Sequence, residues 1–207
     1  MIKLAAFALL LSACVAYAKL GNTLEQTTAQ FGPPAESKPD YAVFLVDRYQ
    51  RIIEIYNDKG IAAAVIYLNT HRSFTPEESR QFFNDNFPGL EPSGFKEMPV
   101  SKVRYGLQPL LNPVNFYDYS SAWGPSSLTF SEFRCHSLSG DGAGHYVYTG
   151  FIFRDHSDAE GRISSSDTLG TRIYLTEEGR ILMDKRYKAP EAPKENWWDK
   201  IRRWLLG

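Results

Sequence analysis

The sequence predicts an α+β fold, with antiparallel β-hairpins forming a sheet that packs with two or three helices. Three observations predict it. Short apolar runs recur with Gly-bearing turns between them, as at residues 51–56 and 61–68 around Asn57-Asp58-Lys59-Gly60. Two hydroxyl-capped helix starts stand out, Thr23-Leu24-Glu25-Gln26 and Thr75-Pro76-Glu77-Glu78. Aromatic residues make up 14% of the chain, with 12 Tyr and 13 Phe, and rings of this kind favour pleated, half-buried surfaces.

The chain opens on residues 1–18, which have the order of a secretory signal. Lys3 supplies the positive start, 4–11 are apolar, and small residues follow. The apolar run is too short to span a bilayer. Two processing sites overlap here. Ala16-Tyr17-Ala18 fits cleavage before Lys19, and Leu11-Ser12-Ala13-Cys14 fits a bacterial lipobox, in which Cys14 is lipidated and becomes the new N-terminus. Both readings stand on sequence alone, and both place the protein outside the cytoplasm, periplasmic, secreted or lipid-anchored.

From there the elements follow in order. Thr23 caps a helix whose Leu24 and Phe31 lie seven apart on one face, and Gly32-Pro33-Pro34 stops it. Residues 41–47, 51–56 and 61–68 read as strands, with Gly60 supplying the positive φ of the turn. Thr75 starts a second helix, which carries Phe82 and Phe83 and ends before Pro88-Gly89. Residues 88–126 are broken by six prolines yet rich in apolar side chains, so they read as an ordered connection with short strands. Residues 127–136 and 145–154 predict a second hairpin, and 155–168 a polar loop. Residues 171–175 and 180–187 predict a third hairpin around Thr176-Glu177-Glu178-Gly179. The expected organisation is a leader, one domain over 19–189 with sub-blocks 22–87 and 95–188, and a tail over 190–207.

That tail predicts a short amphipathic helix. Trp197, Ile201, Trp204 and Leu205 fall on one face, Trp198 sits at its edge, and Arg202 and Arg203 lie on the polar side. It is too short to span a membrane. Tryptophan at an apolar–polar boundary beside cations suits a membrane surface or an envelope protein partner. From Asp184 onward there are seven basic and four acidic residues, a patch that anionic lipid attracts at about 1 kcal/mol per basic residue. Docking on the domain's own sheet is the competing use of the same face.

The whole chain holds 23 basic and 24 acidic residues, for a formal net charge of −1, so no global field points to nucleic acid. No Walker loop, dinucleotide fingerprint, nucleophile elbow or metalloprotease helix is present, and the sequence predicts no cofactor. Two weak constellations remain. Cys135 and His145 make a thiol–imidazole pair if the hairpin register aligns them, since the adjacent His136 points to the opposite face. His156, Asp158, Glu160 and Asp167, with Gly161 and Ile163, match the spacing of a calcium loop, although histidine is a poor ligand for that hard cation.

Residues 20–26 (LGNTLEQ) and 30–34 (QFGPP), followed by 52–56, Gly60 and 65–67, resemble the BamE (SmpA/OmlA) type of small bacterial lipoprotein domain. The resemblance covers residues 21–68. It implies an α-β-β-β element at the N-terminus and a binding or scaffolding role in a bacterial envelope rather than catalysis. The expectation is therefore an exported, non-enzymatic envelope protein. The rival class is a periplasmic or secreted hydrolase or transferase using Cys135 with a nearby histidine.

Overall fold

The computed structural model describes residues 18–47, 49–69, 71–98, 104–105, 133–157 and 163–188. At 98, 104, 133–138, 151–157 and 163–169 the backbone alone is described. Residues 1–17 of the leader and the Trp-rich tail lie outside these residues.

The protein is α+β. Helix α1 (Leu24–Phe31) precedes strands β1 (Glu36–Lys38), β2 (Tyr41–Leu45), β3 (Gln50–Tyr56) and β4 (Ala62–Asn69). Helix α2 (Pro76–Asn86) and a 3-10 turn (Pro92–Gly94) lead to the short β5 (Lys96–Met98) and β6 (Arg104–Tyr105). Then come β7 (Phe133–Gly140), β8 (His145–Ser157), β9 (Ile163–Thr176) and helix α3 (Glu177–Tyr187). Among the described residues, nine strands form one sheet in the order β1-β2-β3-β4-β9-β8-β7-β5, with β6 also on β7. Every pairing is antiparallel. Two meanders thus meet at β4 and β9, where Ile66 pairs with Ile173.

The sequence of β4 explains its central place. All eight residues of AAAVIYLN are buried, as a continuous apolar run requires when both faces of a strand are covered. One face carries Val43, Ile53, Ile66 and Ile173, closed by Met183 and Tyr187 of α3. The other carries Phe44, Ile52, Val65 and Tyr67, closed by Phe82 and Phe83 of α2 and by Phe87 just past its end, with Leu24 and Phe31 of α1 alongside. Each of these three phenylalanines contributes about 1.5–3 kcal/mol by leaving water.

Both helix starts form as their residues dictate. Thr23 Oγ1 accepts from the Gln26 N–H while the Gln26 side chain accepts from the Thr23 N–H. Thr75 and Glu78 repeat the arrangement on α2, and Arg72 grips both Glu78 oxygens at 2.7 and 2.6 Å. At the β3–β4 turn, Gly60 takes φ 71°, and Asn57 Oδ1 accepts from the Lys59 and Ile61 N–H groups.

Two expectations are corrected. The third hairpin does not form: residues 177–187 are α3, not a strand. Thr176 is a helix cap, accepting from the Gly179 N–H at 3.1 Å. Glu177 and Glu178 lie in the first turn and Lys185 and Arg186 in the last, as the helix dipole favours. Gly179, Met183 and Tyr187 recur every four residues on the buried face. The glycine allows close approach rather than a turn, for a Cβ there would stand 1.9 Å from the Ala63 carbonyl oxygen.

The polar stretch 155–168 is not wholly a loop either. Strand β8 runs through Ser157 and β9 begins at Ile163, pairing Arg154 with Asp167 and His156 with Ser165. Backbone bonds hold such a ribbon together, and side-chain polarity does not report them.

Candidate functional site

The strand RIIEIY places one carboxylate inside the protein. Alternation along β3 puts Glu54 on the same face as Ile52 and Tyr56, beneath α1. Glu54 is fully buried. One of its oxygens accepts from the Thr27 hydroxyl of α1 at 3.0 Å, and the other accepts from the Tyr56 hydroxyl at 2.6 Å. Thr27 Oγ1 in turn accepts from Asn22 Nδ2 at 3.2 Å. Asn22 and Thr27 are themselves buried. Burial penalises the charged carboxylate and pushes Glu54 up to about 7, against the two hydroxyl donors that favour ionisation. The same desolvation raises the Tyr56 phenol, helped by the neighbouring carboxylate.

Tyr56 also lines a cleft of about 390 Å³ with Leu24, Ser37, Lys38, Pro39 and Gly60. The start of α1, the β1–β2 turn and the β3–β4 turn form its walls. Lys38 stands on the rim, paired with Glu36 at 3.0 Å. A carboxyl group that titrates near neutral pH therefore lies one hydroxyl away from a surface cleft. It can change charge without contacting solvent directly, and Tyr56 carries the consequence to the cleft wall. Glu54 was not singled out from the sequence. The signal that could have found it is a lone acid in a strand with apolar residues on both sides.

A second polar group joins α3 to β6 and β8. Tyr105 donates to Asp184 at 2.8 Å, and Tyr146 donates to Glu177 at 2.6 Å. Arg180 contacts both acids and lies over the Tyr146 ring. Hydrogen bonds from Arg180 and then Tyr146 hold Glu177 down near 2.

The sequence-derived candidates fall as follows. Cys14 and Trp197, Trp198, Ile201, Arg202, Arg203, Trp204 and Leu205 lie outside the described residues. So do Asp158 and Glu160 of the calcium spacing. Its remaining acid, Asp167, pairs by backbone with Arg154, and His156 pairs with Ser165, so the ends of that spacing belong to paired strands instead of one continuous loop. Among the described residues no group of three or more His, Cys, Asp or Glu is placed to hold a metal.

The register does not bring Cys135 and His145 together. Cys135 sits opposite Gly150, whereas Gly140 sits opposite Tyr146. Five residue steps along β8 separate His145 from Gly150, about 16 Å of strand. The imidazole of His145 instead meets Asp141, Nδ1 to Oδ2 at 2.6 Å, across the β7–β8 turn. Asp141 Oδ1 accepts from the Ala143 and His145 N–H groups. The aspartate is partly desolvated, which opposes ionisation, but these bonds outweigh that and lower its pKa. The pair closes a turn.

The fold and these clusters define an α+β protein built on a single antiparallel sheet with helices on both faces. No family model matches the sequence, and no curated protein matches it. Among solved structures, the chain is similar to a cysteine-rich secretory protein from Staphylococcus aureus, at 12% identity and a TM-score of 0.32. The match covers 83% of this chain and 49% of the other, so the chain spans about half of that protein's length. Among the described residues, no helix is long and apolar enough to cross a membrane.

Proposed function

We propose that this chain is an exported bacterial envelope protein with a binding or structural role and no catalytic one. The observation that carries the reading is how the described acids are used. Glu54 ties β3 to α1, Glu177 ties α3 to β8, Asp184 ties α3 to β6, and Asp141 ties the two ends of one turn. Each is committed to holding elements in place, as in a rigid scaffold. The leader-like residues 1–18, the resemblance of residues 21–68 to a lipoprotein domain, and the Trp- and Arg-rich tail support the same reading.

The tail supplies the contact with a membrane surface or an envelope partner. Protein comprising residues 18–207 is expected to co-sediment with anionic phospholipid vesicles at low salt, whereas 18–189 stays in the supernatant. Equal sedimentation of the two forms would remove the membrane role of the tail. The rival thiol enzyme is tested at Cys135. Alkylation of the folded 18–207 form is expected to be slow and to accelerate on unfolding. Rapid reaction in the folded state, with a midpoint well below pH 8, would favour the rival.

A further inference from the structure

We propose that helix α1 is a strap that lifts from the sheet when the buried Glu54 gives up its proton, joining the cleft beside Tyr56 to the apolar floor beneath the helix. Of the acids that tie the fold together, this one holds only while it is protonated. The device goes beyond the export reading and does not depend on it.

Main-chain bonds fasten α1 at both ends. On the entering side, the Gly21 N–H donates to the Ala62 carbonyl at 2.9 Å, and the Ala62 N–H donates to the Asn22 carbonyl at 2.8 Å. On the leaving side, the Ala35 N–H donates to the Val43 carbonyl at 2.8 Å, after which β1 pairs with β2. Between these ties the helix has eight residues, LEQTTAQF, and Thr27 is its one buried side chain. Leu24 and Phe31 are half-buried at its two ends. A helix this short does not persist in water without tertiary contacts, so the ground under Thr27 decides whether it stays down. Gly32 ends the helix at φ 81°, with nothing within 4 Å of the place a Cβ would take, which leaves that end room to swing.

The ground under Thr27 is Glu54, which holds the Thr27 hydroxyl at 3.0 Å and the Tyr56 hydroxyl at 2.6 Å. In the register, Ala42 of β2 and Val65 of β4 stand opposite it. The titratable groups on this face are the phenols of Tyr56 and Tyr67, both raised by burial and therefore neutral. Asp85 of α2 adds a charge near Tyr67, offset by Lys19. Glu25, the charged residue of α1, is exposed. Among the described residues, no cation is placed to offset an ionised Glu54. A buried carboxylate without a cation is costly however many hydroxyls it accepts from.

With α1 down, burial pushes Glu54 up to about 7. With α1 lifted, water reaches the carboxyl and returns it to its ordinary 4.5. The lifted form grips the proton less tightly, so its share grows as pH rises through that interval. Lifting also withdraws Leu24 from the wall of the cleft. It uncovers Phe44, against which Phe31 lies with ring centroids 6.2 Å apart.

Amide hydrogen exchange of the purified protein, corrected for the intrinsic pH dependence of the reaction, reads the opening. Between pH 5 and 8 the opening constant of the α1 amides is expected to rise on the order of 70-fold. At every pH it is expected to exceed that of the β4 amides by about tenfold or more. Glu54→Gln imitates the protonated acid and is expected to keep α1 closed across the range. An α1 opening constant that does not change with pH would overturn the proposal. Equal constants in α1 and β4 would overturn it too, since they mean that the whole domain opens together. Both of these readings need only the parent protein. A pH slope that persists in Glu54→Gln would take the control of α1 away from Glu54.

Discussion

Raising the pH from 5 to 8 is expected to lower the melting temperature of the protein, and Glu54→Gln is expected to remove most of that loss. The sign follows from where the proton sits. Glu54 titrates near 7 in the folded protein, above its ordinary value of 4.5, because burial opposes the carboxylate. Between those values the folded chain holds a proton that the unfolded chain has released, so stability falls as pH rises. The contribution is fully present below about 4.5 and lost through about 7. At about 1.4 kcal/mol per pH unit, the swing is on the order of 3 kcal/mol. That corresponds to roughly 6–12 °C for a domain of this size. Glutamine imitates the protonated acid, so the variant should be nearly flat across the window and more stable than the parent at pH 8. Calorimetry of the two proteins at half-unit intervals measures this, and parallel curves would contradict the burial of a titrating Glu54. Asp141, Glu78 and Glu177, whose pKa values are lowered, act in the opposite sense and at lower pH. Asp85, raised by burial, acts in the same sense as Glu54.

Gly179→Ala should be the most damaging conservative change in the described part of the chain. In an ordinary helix interior, alanine in place of glycine stabilises by about 1 kcal/mol. Here the added Cβ would stand 1.9 Å from the Ala63 carbonyl oxygen and 2.6 Å from its carbon. Neither is the end of a flexible side chain. Both belong to the backbone of β4, the most buried strand of the sheet. Helix α3 would have to lift, and with it Met183 and Tyr187 would leave the core they close. The expected loss is on the order of 4 kcal/mol, enough to separate α3 from the sheet in much of the population. The sign is the diagnostic: denaturant unfolding that shows Gly179→Ala neutral or stabilising would mean that α3 does not press on β4.

These two positions also show how far the sequence could be read. Local signals with their own chemistry were legible. Thr23 and Thr75 announce both helix starts, Gly60 announces its turn, and the unbroken apolar run at 61–68 announces a strand. What failed depended on contacts distant in the chain. Thr176-Glu177-Glu178-Gly179 is as good a helix start as a hairpin turn. Only the proximity of Ala63, more than a hundred residues earlier, decides for the helix. Strand β9 could not be assigned its neighbours from periodicity, because its partner β4 belongs to the other meander.

The candidate site was hidden for a related reason. Glu54 looks like the polar member of an alternating strand, and nothing local reveals that α1 covers that face and offers Thr27. The thiol–imidazole pair was left to the register, and the register keeps Cys135 and His145 apart. In the leader, the two processing sites could not be ranked from their residues.

The account depends most on export. The direct measurement is protease accessibility of the protein in its native cells, before and after the outer permeability barrier is opened, with a cytosolic enzyme as the protected control. The account predicts that the protein fractionates with the envelope and is digested once the barrier is opened, while the control survives. Protection alongside the control, released only when the inner membrane is lysed, would contradict it.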